Sequence, residues 1–215
     1  MQITRIRALR GPNLWTRSTA MEAVVHCEPH EGDYRALPGF EDRLRARFPK
    51  IGALHPHGAD QRLSLAHVLE VAALSLQAQA GCPVTFSRTH ETVEPGTSQV
   101  VVTEEAVGRQ AMEQAEALVR AALDDTPFDA AAVVARLREL DEDERIGPST
   151  GAIVDAAVAR GIPFRRLTSG SLVQLGWGSQ ARRIQAAELD VTSAVAESIA
   201  QDKDLTKRLL HAAGV

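Results

Sequence analysis

Apolar residues recur with two different periods along the 215-residue chain, and each period predicts a different kind of element. In LSLAHVLEVAALSLQAQAGCP, residues 63–83, Leu65, Val68, Leu69, Ala72, Leu76 and Ala80 follow spacings of three and four. That repeat marks one face of a helix, here closed by Gly81 and stopped by Pro83. The alanine-rich stretches 104–123 and 128–140 predict two further helices, and PGFEDRLRARFP predicts a short one with Phe40, Leu44 and Phe48 inward. Looser alternation predicts strands in the segment carrying Ile3, Ile6 and Leu9, in MEAVVHCEP, in PVTFSRT and in SQVVVTE. The last two are joined by HETVEPGT, while Pro49, Gly52, Pro56 and Gly58 make residues 49–61 a loop. Helix, strand, loop and strand in that order predict an α+β layer, a small mixed sheet packed with helices.

Farther along, DEDERIGPST predicts a solvated break, after which Ser149 caps a helix to Arg160 that Gly161 and Pro163 end. From Ile162 the texture changes to short strands with glycine turns, followed by two helices. A boundary is therefore expected near residues 160–162, dividing the chain into 1–161 and 162–215, the second reading as the start of something larger.

Composition narrows the functional classes. Hydrophobic residues make up 44% and charged residues 24% of the chain, the balance of a soluble globular protein. A formal charge of −4 gives no basic face for nucleic acid. No apolar run is long enough for a membrane helix, and Arg5, Arg7 and Arg10 interrupt any secretory signal. Cys27 and Cys82 sit in apolar surroundings without metal-type spacing, so they are expected to be reduced core residues of a cytoplasmic protein.

Two ionisable residues interrupt the otherwise almost wholly apolar helix. His67 and Glu70 stand three apart, so both reach the same side. A metallopeptidase helix of the inverted type reads H-x-x-E-H, with two histidines on zinc and the glutamate activating water. Here the fifth position is Val71, and a replacement ligand would have to come from His55, His57 or His90. The other reading is a hydrogen-bonded polar pair, because a buried carboxylate needs a partner to offset its desolvation. Gly176-Trp177-Gly178 lacks the G-x-x-x-x-G-K-[ST] frame of a phosphate loop and reads as a tight turn. Arg182, Arg183, Lys203 and Lys207 read as solvated surface.

Taken together, six stretches resemble cyanophycin synthetase, an ATP-dependent ligase that makes an aspartate backbone carrying arginine on each side chain. They are LRGPNLW (9–15), LPGFEDRL (37–44), QAGCP (79–83), FSRTHETVEPGTSQVVV (86–102), GPSTGAIVDAAVARGIP (147–163) and the run from LVQLGWG to HAAGV (172–215). The resemblance implies the family's N-terminal domain over 1–161 and the beginning of an ATP-grasp domain over 162–215. It places the nucleotide loop, the magnesium carboxylates and a Mur-ligase-like domain beyond Val215. ATP and magnesium would then serve the full-length parent rather than this segment, and the chain alone is not expected to ligate. Lys203 and Lys207, in DKDLTK, would lie near the nucleotide phosphates of the parent.

Some family members carry H-x-x-E-H at the positions matching 67–71, resembling a zinc peptidase site that trims the polymer into primers. On that match His67 is the first ligand, Glu70 the base, and Glu105 the third ligand, with Glu104 as the alternative register. Val71 departs at the second ligand, so zinc is not expected. The resemblance also implies a polymer with a guanidinium and a carboxylate on every unit. Arg88, Glu91 and Glu94 offer the matching charges in bidentate form. The leading expectation is thus a polymer-tethering module, with the polymer and the remaining synthetase domains as partners and a homo-oligomeric parent. A zinc-dependent polymer hydrolase is the second reading. The third is a scaffold whose helices 105–123 and 128–140 serve only packing or oligomer contacts.

Overall fold

A computed structural model describes all residues except 18, 55–62, 83–85, 104 and 187, with the backbone only at 103. The chain divides into two compact units, Met1–Arg145 and Ile146–Val215.

In the first unit, β1 (Gln2–Leu9), β2 (Ala20–His26), β3 (Ser87–Glu91) and β4 (Thr97–Thr103) form one sheet in the order β1-β2-β4-β3. The mixed sheet expected from sequence is instead antiparallel throughout. Strands β1 with β2 and β3 with β4 double back on each other, and the long connection after β2 returns β4 beside it in the opposite sense. Val100, Val101 and Val102 are all fully buried, which identifies β4 as a central strand covered on both faces. Val100 and Val102 join Met21, Ala23 and Val25 in the main core, whereas Val101 points to the other face.

Helices α1 (Phe40–Arg47), α2 (Leu65–Ala80), α3 (Ala106–Asp124) and α4 (Ala130–Glu144) complete the unit. Helix α2 lies on β3 and β4, and α3 reaches β1 and β2. The periodic leucines of α2 explain its place: Leu65, Leu69 and Leu76 are fully buried, each worth about 1.5–3 kcal/mol. Gly81 ends the helix with φ +91°, a conformation that costs a residue without Cβ little, and the next amide, that of Cys82, donates to the Gln77 carbonyl at 3.1 Å. Pro83, expected to stop this helix, lies outside the described residues.

The break expected in DEDER is helical as far as Glu144. Asp141 stays on the buried side, one turn after Leu137, because Arg145 pairs with it at 2.7 Å and offsets its charge.

The second unit opens with α5 (Pro148–Ala159). Its N-cap is Gly147 rather than Ser149, because Pro148 takes the first helical position, where its fixed φ fits and no amide is needed. Strands β5 (Phe164–Arg166), β6 (Leu172–Leu175), β7 (Arg182–Gln185) and β8 (Glu188–Leu189) form a second antiparallel sheet in sequence order. Val154 of α5 shares a small core with Val173 and Ile184, so the texture change at residue 162 falls inside this unit. Helices α6 (Ala194–Gln201) and α7 (Lys203–Ala212) bury no residue of their own. No helix among the described residues is long and apolar enough to cross a membrane.

Candidate functional site

The polar pair on α2 meets β3. His67 Nδ1 stands 3.5 Å from Glu70 Oε2. The Ser87 hydroxyl donates to Glu70 Oε1 at 2.8 Å and the Thr89 hydroxyl to Oε2 at 2.5 Å. Ser87 and Thr89 alternate along β3, so both face the helix, and their two hydroxyls take one carboxylate oxygen each. Burial pushes the Glu70 carboxyl up, but the contacts with His67, Thr89 and Ser87 outweigh it and hold its pKa below the ordinary value. His67 Nε2 is buried and has no partner among the described residues. Val71 is 9% exposed and packs toward Gly52, where an added Cβ would stand 3.5 Å from Val71 Cγ1.

Glu105 is the N-cap residue of α3, and Arg10 grips both of its carboxylate oxygens. Among the described residues, no three His, Cys, Asp or Glu side chains stand where they could share a metal ion. His55, His57 and Glu104 lie outside the described residues. His90 faces away from α2, its ring 5.9 Å from that of Trp15.

The alternation of β3 sends Arg88 and Glu91 to opposite surfaces, and Glu94 follows in the turn after the strand. Arg88 is exposed on the face of the sheet opposite the helices, in register with Val101 of β4. Glu91 and Glu94 belong to the other surface, a cleft of about 540 Å³ at the end of the sheet. That cleft is also lined by His26 at the end of β2, by Glu28 just after it and by Ser64, the N-cap of α2. Three glutamates therefore line one cleft beside an edge strand whose other side carries an arginine. Glu28 is the member that sequence reasoning missed, since only the pairing of β2 with β4 brings it to the β3–β4 hairpin. Ser87, Thr89 and Arg10 were missed as well. The i, i+2 hydroxyls within FSRTHE were the one signal that could have found the first two.

In the second unit, Lys203 and Lys207 are exposed one turn apart on α7, and Arg182 and Arg183 are exposed on β7. Gly176 and Gly178 both take positive φ, as a tight turn after β6 requires.

An antiparallel sheet with helices on one face, and a helix-to-strand junction tied through a carboxylate, define an α+β module. Residues 24–124, from within β2 to the end of α3, match the model of the cyanophycin synthase-like N-terminal domain. Over its whole length the chain is 35% identical to a cyanophycin synthetase of Trichormus variabilis, 34% to one of Geminocystis herdmanii and 32% to one of Synechocystis sp.. It spans 26% of the first two and 27% of the third, about a quarter of each relative. Residues 24–124 thus carry a cyanophycin synthase-like N-terminal domain, and the chain as a whole is similar to about a quarter of each of these synthetases.

Proposed function

We propose that the first unit is the polymer-holding module of a cyanophycin synthetase-like ligase and performs no chemistry of its own. The observation that carries this reading is the split of charge about β3. Arg88 stands on one side of an edge strand, and Glu91 and Glu94 stand in the cleft on the other. A chain with a guanidinium and a carboxylate on every unit can lay its cations in the cleft and its anions on the open face. Each contact would be a charge-assisted hydrogen bond, and repetition along the polymer would raise the effective concentration of the chain end near a ligase site. On this reading residues 162–215 are the lead-in of an ATP-grasp domain, with Lys203 and Lys207 on the nucleotide side, and ATP and magnesium serve the parent.

The hydrolase reading is disfavoured by its own donor set. Both oxygens of Glu70 accept hydroxyl protons, Val71 supplies no lone pair, and Arg10 neutralises Glu105. Zinc does not fit these residues, and Glu70 acts as a tie between α2 and β3. The test is incubation with cyanophycin particles: the protein is expected to co-sediment and to release no soluble fragments. Fragment release together with near-stoichiometric zinc by mass spectrometry would overturn the proposal.

A further inference from the structure

The face of the first sheet turned away from the helices carries two rows of side chains fixed by register. One row runs Arg7, Glu22, Val101, Arg88, and the next runs Arg5, Val24, Gln99, His90. Glu22 is 2% exposed, and its charge is answered on the spot: Arg7 Nε donates to Oε1 at 2.7 Å and Trp15 Nε1 donates to Oε2 at 3.3 Å. Trp15 meets both Glu22 on β2 and His90 on β3, the strands that flank β4, so its indole lies over the part of the face where Val101 is fully buried. The face thus has a satisfied acidic centre under an aromatic plate. Arg5 and Arg88, on the two edge strands, are exposed, and neither makes an ion pair or side-chain hydrogen bond among the described residues.

We infer that this open face is a carboxylate-binding surface, on which Arg5 and Arg88 take successive acidic groups of an extended polymer that passes over Trp15. Three strand spacings of about 4.8 Å put the two edge strands roughly 14 Å apart. One small anion cannot meet both arginines across that width, whereas a chain with recurring carboxylates can. Guanidinium forks bind carboxylates in two-point geometry, and the apolar stems between acidic groups find the indole face. The acids Glu28, Glu91 and Glu94 line the separate cleft, so among the described residues of these two rows the one acid beside the two arginines is Glu22, which Arg7 already neutralises. The occupant's identity as the arginine-bearing polymer, whose free α-carboxylates would be the groups held, rests on the function proposed above; the surface itself does not.

Equilibrium binding by the full 215-residue chain separates the two claims. The probes are polyaspartate, β-Asp-Arg oligomers, the same oligomers with their arginine carboxylates amidated, and a single-stranded oligonucleotide. Arg5→Glu/Arg88→Glu, which breaks no ion pair or side-chain hydrogen bond among the described residues, is expected to weaken polyaspartate and the free oligomer by at least about tenfold. Amidation is expected to weaken the oligomer on the unaltered chain to a similar degree. Polyaspartate held through the two arginines with no oligomer binding would keep the surface and sink the arginine-bearing polymer as its occupant. Equal oligomer binding by chain and variant would keep the polymer and sink the surface. Binding of neither polycarboxylate, or arginine-dependent preference for the oligonucleotide, would also overturn the inference.

Discussion

Arg10 grips Glu105 at two points, Nε to Oε2 at 2.9 Å and Nη2 to Oε1 at 2.6 Å. The carboxylate that the family resemblance offers as a third zinc ligand is thereby committed to the turn after β1. Restoring the missing histidine is consequently not enough to build a metal site. Val71→His is expected to give zinc far below one ion per chain when purified without a tag and assayed by mass spectrometry. Near-stoichiometric zinc in that variant would show that the Arg10 pair and the hydroxyls on Glu70 yield readily to a metal.

Glu70 contributes to stability through its partners on β3. Glu70→Ala leaves the Ser87 and Thr89 hydroxyls unanswered, and the expected loss is about 1–3 kcal/mol in urea denaturation. An unchanged midpoint would remove the junction from the list of forces joining α2 to the sheet.

Acid should unfold the first unit through two carboxylates. Glu70 and Glu31 both titrate below the ordinary glutamate value of 4.5. For Glu31, burial pushes the carboxyl up, but the Met1 ammonium and the Glu28 amide more than compensate. A depressed folded pKa means the stabilisation is complete above the unfolded value and is lost as pH falls through the folded one. Stability measured by denaturation at stepped pH is expected to fall below 4.5. The slope should be shallower in Glu70→Gln and in Glu31→Gln. Identical slopes in chain and variants would contradict this assignment.

Cys27 is 5% exposed, and burial pushes its thiol up to about 11. Only the thiolate attacks alkylating reagents. Cys27 is therefore expected to stay unmodified at neutral pH in the folded protein and to react once denaturant is added. Rapid modification before unfolding would show that this end of the sheet opens readily.

Charge reversal in the cleft probes the other half of the proposed polymer contact. Glu94→Lys is expected to weaken oligomer binding several-fold, with the difference shrinking as salt screens the exposed charges. Glu70→Gln, which alters the junction and not the cleft, should bind as the unaltered chain does. Equal binding by all three would remove the cleft from the polymer path.

Helix α2 was legible because its leucines keep one period through four turns and Gly81 marks its end. The β3–β4 hairpin was legible from Glu94-Pro95-Gly96 between two β-branched runs. The charge run at Asp141 misled because a buried acid is readable only when its partner, Arg145, is placed beside it. The two faces about β3 were beyond the sequence for a different reason. Arg88 and Glu91 lie three apart in an extended strand and so point to opposite sides. Their companions Arg5 and Glu28 arrive through pairings of strands far apart in the chain. At the zinc frame the sequence shows Val71 in place of a second histidine, while the hydroxyls on Glu70 and the arginine on Glu105 required the fold.

The most direct measurement is an amide-resolved NMR titration of the 215-residue chain with β-Asp-Arg oligomers at low salt. Saturable shifts are expected at Arg88 and His90, along the hairpin 91–98 and at Glu28, reversed by added salt. Absence of shifts, or shifts confined to the second unit, would contradict polymer holding by the first unit.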